Sequence, residues 1–263
     1  MTGEGIVIRR VETQAEYEEC VRIQDETWGA GFSERVPSAI LKVSQYLGGV
    51  TAAAFDSEGA DARILGFVFG MTGVRDGQLV HWSDMLAVRP EARDHGIGRR
   101  LKLYQRSLVA ELGVTQILWT FDPLVSRNAH LNLNALGARV TDYVPDMYGA
   151  DTGSTLHQGI GTDRFVVAWE VGGAAGQMGS GDVSGAAGQR GSRAENRDGR
   201  GTEVVVEIPH DIQELIVVDP AAAREWREST RPAFLRLLAD GYRVAGFERS
   251  PTGGFYRLSR DSD

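Results

Sequence analysis

The stretch Val88-Arg89-Pro90-Glu91-Ala92-Arg93-Asp94-His95-Gly96-Ile97-Gly98-Arg99-Arg100-Leu101 joins a strand end, a short loop and a helix start, with two glycines where loop becomes helix. Amides at a helix N-terminus have no partner inside the helix and point outward, and the helix dipole favours an anion there. Glycine lets a ligand approach those amides without a Cβ in the way. Arg93, Arg99 and Arg100 add positive charge, and arginine can hold phosphate oxygens in bidentate fashion. A phosphate site is the reading. Spacing excludes two other phosphate loops. Three residues after Gly98 stands Leu101, where a dinucleotide-binding loop needs glycine or alanine, and Arg99-Arg100 follow Gly98 where a P-loop needs lysine then serine or threonine.

Upstream, Ile6–Val11 reads as a strand and Thr13-Gln14-Ala15-Glu16 as a capping box opening a helix that runs to about Thr27. Residues 28–36 read as a loop and Ser38–Leu47 as a second helix. Val50–Phe55, Ile64–Thr72 and Leu79–Val88 form a predicted antiparallel meander, separated by Asp-Ser-Glu-Gly and Arg-Asp-Gly turns. Downstream, Ile97, Leu101, Tyr104, Leu108 and Leu112 mark one apolar helix stripe. After it come a strand at Gln116–Phe121, a helix at Ser126–Leu136 closed by Gly137, and strands at Arg139–Val144 and Arg164–Val171. This order predicts an α+β domain whose middle helix crosses between neighbouring parallel strands.

The chain has 263 residues, 36 acidic and 28 basic, a net charge of −8, and 42% hydrophobic residues. That acidity argues against nucleic acid, whose binding rests on lysine and arginine neutralising phosphates. Without a run of about 20 apolar residues, no membrane span is expected. The N-terminus does not read as a signal peptide, so the cytoplasm is the expected compartment. Cys20 is the single cysteine, which excludes intrachain disulfides and multi-cysteine metal sites. His81, His95, His130, His157 and His210 show no metal-ligand spacing, so no metal is expected, and they read as surface or loop residues. Ten glycines among the thirty residues from Gly172 to Gly201 predict a flexible linker over 172–202. It separates 1–171 from 203–263, where a strand at Glu203–Ile208, a helix at Pro220–Ala239 and a hairpin at Tyr242–Glu248 and Gly254–Leu258 are expected. So small a β-α-β-β extension is marginal alone, so it is expected to dock on the first part or, in a homodimer, on a second subunit.

With Arg93-x-x-Gly96-x-Gly98 following a strand that ends in Ala87-Val88, the sequence resembles the GNAT superfamily of acyl-CoA N-acyltransferases over about residues 6–171. The resemblance implies a mostly antiparallel mixed sheet flanked by helices, with acetyl-CoA as co-substrate and no metal. Leu86, Ala87 and Val88 would then meet the pantetheine arm where two strands splay, and Arg93, Asp94, His95, Gly96, Ile97, Gly98 and Arg99 would cradle the pyrophosphate. The second CoA element of that superfamily aligns on Ser126–Ala138, placing Ser126 on its asparagine and Leu133 on its tyrosine. That tyrosine usually protonates the departing thiolate, and here it is missing. Asn128 and Asn132 are further CoA-binding candidates, and Asn134 shares their helix. Ser126 reads as an N-cap.

Amine acylation needs a neutral amine, an oxyanion partner and support for the sulfur leaving group. Asp84 shares a strand face with Leu86 and Trp82 and is the candidate base or amine-binding carboxylate. Tyr143 and Tyr148 are the candidates to replace the missing acid. Trp28, Phe32 and Trp82 would border the acceptor. The implied activity is acetyl transfer to a primary amine of a small molecule or peptide by direct attack in a ternary complex. The alternative is a non-catalytic acyl-CoA-binding or sensing protein on the same fold.

Overall fold

The capping box closes as its residues require: Thr13 Oγ1 accepts from the Glu16 amide and Glu16 Oε2 from the Thr13 amide, both at 3.2 Å. It opens α1 (Gln14–Trp28), which with α2 (Ser38–Tyr46) lies between β1 (Val7–Arg10) and β2 (Val50–Phe55) in the chain. The computed structural model describes residues 5–59, 61–172, 194–195 and 203–260. The meander follows as β2, β3 (Ile64–Arg75) and β4 (Gln78–Val88). Then come α3 (Ile97–Ala110), β5 (Gln116–Phe121), α4 (Ser126–Ala129), β6 (Arg139–Val144) and β7 (Arg164–Glu170). These strands form one sheet in the order β1-β2-β3-β4-β5-β7-β6. Among the described residues only β4 and β5 pair in parallel, and α3 is the crossover between them.

The sheet is covered on both faces. Tyr17, Cys20 and Ile23 of α1 and Leu41 of α2 pack on Phe55, Phe67 and Phe69. On the other face, Ile97, Leu101 and Val109 of α3 pack on Val50, Ala52 and Val68. Every residue of β2 is consequently buried. The buried face of α3 is rotated from its apolar stripe: Lys102 and Gln105 are buried, whereas Leu112 is 44% exposed beyond the helix end. Two polar side chains displace apolar ones because they join a hydrogen-bond network described below.

Residues 126–136 are not one α-helix. After α4 the backbone widens into a π-helical turn over His130–Ala135, with the Leu136 amide donating to Leu131 O at 3.0 Å. The wider turn tucks Asn132 inward, where its Oδ1 accepts from Trp119 Nε1 at 3.1 Å. Nor is Ser126 the N-cap: Val125 holds that position without a side-chain bond. Asp122 Oδ1 accepts the Leu124 amide at 2.8 Å instead.

A second sheet, β10-β11-β9-β8, is built from Ala194–Glu195 (β8), Glu203–Pro209 (β9), Arg243–Ser250 (β10) and Gly253–Ser259 (β11). With it go α6 (Pro220–Ala239) and a helix absent from the sequence reading, α5 (Ile212–Val218), capped by Asp211. Apart from Gly172 and the pair in β8, the linker read at 172–202 lies outside the described residues. The C-terminal elements share the core of the first sheet. Phe234 lies 5.5 Å from Tyr143 and 4.8 Å from Phe165, ring centre to ring centre, and Tyr256 lies 5.4 Å from Phe165. Behind the rings, Arg227 Nη2 meets Asp122 Oδ2 at 2.6 Å, and Arg231 Nη2 meets Asp163 at 2.5 Å and Asp146 at 3.0 Å. No helix among the described residues is long and apolar enough to cross a membrane.

Candidate active site

β4 and β5 pair at only three positions, Val80 with Gln116, His81 with Ile117 and Trp82 with Leu118, and then diverge. The wedge between them opens into a cavity of about 250 Å³. Ser83, Asp84, Met85 and Leu86 line it from β4, and Trp119, Thr120 and Phe121 from β5. Lys102 reaches it from α3, Asn128, Leu131 and Asn132 from the α4 region, and Gln213 from α5. The loop after α1 contributes Phe32 and Glu34, and the β6–β7 connection contributes Tyr148, Leu156 and His157.

The glycine loop abuts one end of this cavity. Gly96 caps α3 with φ +70°, and Asp94 is also left-handed at φ +64°. Among the described residues, no protein acceptor takes the amides of residues 94–99; the first closed bond is Arg100 N to Gly96 O at 3.0 Å. Side chains hold the loop from beneath, with Arg93 Nε on Val88 O at 3.2 Å and Arg99 Nε on Ala135 O at 3.3 Å. A Cβ on Gly98 would lie 3.6 Å from Leu86 and 3.8 Å from Leu131, both cavity residues, so the free amides and the cavity are contiguous. Arg127 lies close enough to Arg93 that the two cations repel, and burial and that repulsion lower its pKa. Arg93 and Arg127 thus put two positive charges at this end.

A further group of cavity residues is acidic and aromatic. Trp28 and Phe32 stack with ring centres 5.5 Å apart. Asp84 accepts from Trp82 Nε1 at 3.1 Å, and enclosure by the walls, with Glu34 nearby, raises its pKa. Tyr148 OH lies 3.2 Å from Thr120 Oγ1, and burial keeps its phenol protonated.

Of the residues singled out from sequence, Asp84, Tyr148, Leu86, Trp28, Phe32, Asn128 and Asn132 meet in the cavity. Trp82 reaches it only through its bond to Asp84. Ala87 and Val88 face β3, opposite Phe67 and Gly66. Tyr143 is elsewhere: it is 4% exposed in the aromatic core and donates its hydroxyl to Asp163, and burial and that carboxylate drive its pKa up. Asn134 turns to the C-terminal unit and donates to Phe247 O at 2.8 Å. Two histidines read as surface or loop residues are buried, His81 in β4 and His157 beside Thr152. Burial holds them at about 3 and about 4, so both are neutral. The sequence reading passed over Lys102, Glu34, Arg127 and Gln213. Lys102 carried a signal, being one of only two lysines among 28 basic residues and lying within the apolar helix.

No family model matches the chain, and no curated protein matches its sequence. Solved structures match it in fold. The yncA protein of Salmonella typhimurium, solved with its cofactor acetyl-CoA, superposes with a TM-score of 0.50 at 17% identity, over 65% of this chain and 97% of that one. A GNAT-family protein from Desulfovibrio desulfuricans gives 0.49 at 16% identity, over 64% of this chain and 99% of that one. NAA60 of Arabidopsis thaliana, in complex with a bisubstrate analogue, gives 0.49 at 15%, over 64% and 99%. The chain has the GNAT-type fold: a mostly antiparallel mixed sheet flanked by helices, here extended by a small C-terminal sheet.

Proposed function

We propose that the protein is an acyl-CoA-dependent N-acyltransferase of the GNAT superfamily, transferring an acetyl group to a primary amine of a small molecule or peptide. Residues 1–171 form its acyltransferase domain and 203–263 an extension docked against it. The observation that carries this reading is the continuity between the free amides of residues 94–99 and the cavity at the β4–β5 divergence. Those amides suit a pyrophosphate, with Arg93 and Arg127 beside it. Leu86, Leu131, Asn128 and Asn132 would border the pantetheine arm. Gly98 fits the group, since its missing side chain leaves open the passage between loop and cavity.

Acyl-CoA is a substrate here and supplies the activated acyl group. Glu34 and Asp84 beside Trp28 and Phe32 suit an amine whose cation is drawn to carboxylates and aromatic faces. Tyr148 contributes a protonated hydroxyl to the same cavity. Ternary-complex transfer follows from having both substrates meet in one cavity.

Calorimetric titration with acetyl-CoA tests the reading. Micromolar binding, about −8 kcal/mol, that is lost in Gly98→Glu supports it, and an amine-library screen then identifies the acceptor. Absence of binding to acetyl-CoA, CoA and longer acyl-CoAs would overturn it, while binding without transfer to any amine would favour the sensing protein.

A further inference from the structure

Lys102 sits at the root of the β4–β5 wedge, 2% exposed, with no carboxylate within ion-pair distance among the described residues. Its Nζ donates to Ser83 Oγ at 2.8 Å and lies 3.7 Å from the centre of the Trp119 ring. Beyond Ser83 the network has one consistent direction. Ser83 Oγ donates to Gln105 Oε1 at 2.7 Å, so the Gln105 amide nitrogen faces His81 Nε2 at 3.0 Å and must donate to it. His81 therefore carries its proton on Nδ1, facing Thr72 Oγ1 at 3.0 Å, and Thr72 passes its own to Gly48 O at 2.7 Å. Each acceptor is filled from the Lys102 side, and the Gln105 amide stops a proton from running along the chain.

A neutral amine has two N–H bonds and one lone pair. In the neutral form Ser83 can accept one N–H and the Trp119 face, 3.7 Å away, the other, an arrangement that leaves the lone pair for the cavity that Lys102 lines. A third proton would find no acceptor in this network. The charged and titratable groups sharing the cavity are Glu34, Asp84, Asp122, Tyr148, His157 and Arg164. None of their carboxylates pairs with Lys102, and His81 behind it is neutral. Burial without a counter-charge lowers the Lys102 pKa well below that of a free lysine.

We propose that Lys102 is the base of this site, its Nζ lone pair taking the proton from the attacking amine. This rests on the acyltransferase reading above. For the neutral acceptor, the C–N bond forms as the thioester C–S bond breaks and the nitrogen's proton passes to Nζ. The resulting ammonium returns that proton to the departing sulfur, giving amide and thiol with no further reactant. One residue thereby covers both proton steps where the superfamily's tyrosine is replaced by Leu133.

The protonation claim is tested first, without CoA, on the full chain. Trace acetic anhydride is applied between about pH 5 and 11, and peptides are quantified by mass spectrometry. Lys42, exposed and the only other lysine, is the internal control. Lys102 is expected to be acylated at neutral pH, with a labelling midpoint clearly below that of Lys42. Labelling that tracks Lys42, or none at any pH, overturns the proposal. In Lys102→Met, acetyl-CoA affinity stays within about threefold while kcat falls at least ~100-fold and the acidic limb of the kcat/KM profile is lost. Wild-type kcat with that limb intact also overturns it. If the wild-type chain neither binds acetyl-CoA nor acylates amines, the acyltransferase reading fails and the base role with it, even where Lys102 labels as a neutral amine.

Discussion

Replacing Arg227 with methionine tests whether the C-terminal unit is structurally part of the site. Arg227 extends from α6 to Asp122, a cavity residue, at 2.6 Å, and its Nε donates to Ile160 O at 3.0 Å. Both ion-pair members are nearly excluded from water, with side chains 4% and 9% exposed. Removing one member of a buried pair typically destabilises by about 3–5 kcal/mol, because the other charge is stranded. Two features reduce that figure here. Among the described residues Arg227 Nη1 has no hydrogen-bond partner, lying 3.8 Å from Asp163 Oδ2, and methionine removes that unmet donor, worth roughly 1 kcal/mol or more. Asp122 also keeps the Leu124 amide at 2.8 Å and Arg164 at 3.8 Å. The expected net loss is about 2–4 kcal/mol, or roughly 4–16 °C in Tm. Urea unfolding followed by tryptophan fluorescence measures it. In the cycle with Asp122→Asn, which retains an acceptor for Leu124, the double variant should recover at least about 1.5 kcal/mol relative to the sum of the singles. A loss below about 0.5 kcal/mol, or additivity within that margin, would refute the argument that this pair couples the two parts.

Further outcomes follow from the same contacts. Gly98→Ala should leave the melting temperature within about 2 °C, since its Cβ makes only ordinary contacts, yet weaken acetyl-CoA binding; unchanged affinity by calorimetry would contradict the placement of the pyrophosphate. Gly96→Ala, at φ +70°, should lose about 1 kcal/mol from backbone strain, and an unaltered urea midpoint would show that the loop relaxes. His81 and His157 are held at about 3 and about 4 against an unfolded value near 6.5, so the unfolded state binds more protons below that value. Their stability contribution is complete above pH 6.5 and lost as pH falls, by roughly 5 kcal/mol together at pH 4.5; a urea midpoint constant from pH 7.5 to 4.5 would rule this out. Lys102 has the same sign: its folded pKa is depressed, so the unfolded state binds the extra proton at neutral pH. Lys102→Met should therefore raise Tm at pH 7, with the gain shrinking towards pH 10.5, and a lower Tm at pH 7 would contradict burial of an uncompensated amine.

The local elements were determined by local chemistry. Thr13 and Glu16 cap α1 whatever packs on it, and Val50–Phe55 and Gln116–Phe121 are strands at the limits their β-branched and aromatic residues indicate. The Arg93-x-x-Gly96-x-Gly98 loop was legible because a helix start with two glycines needs only its own backbone to present free amides. The cavity was half legible: strand alternation put Asp84 and Leu86 on one face, and Trp28 at the end of α1 and Phe32 in the loop after it supply an aromatic wall. What sequence spacing could not decide was long-range. Tyr143 and Tyr148 are equivalent as nearby tyrosines, and only the packing of Phe234 and Asp163 draws the first into the core while the second stays in the cavity. The π-helical turn that carries Asn132 to Trp119 depends on a strand earlier in the chain. Lys102 and Gln105 face inward because Ser83 and His81 on β4 fill their hydrogen bonds. Periodicity reports which residues avoid water, whereas buried polar groups are placed by partners that only the tertiary fold brings within 3 Å or so.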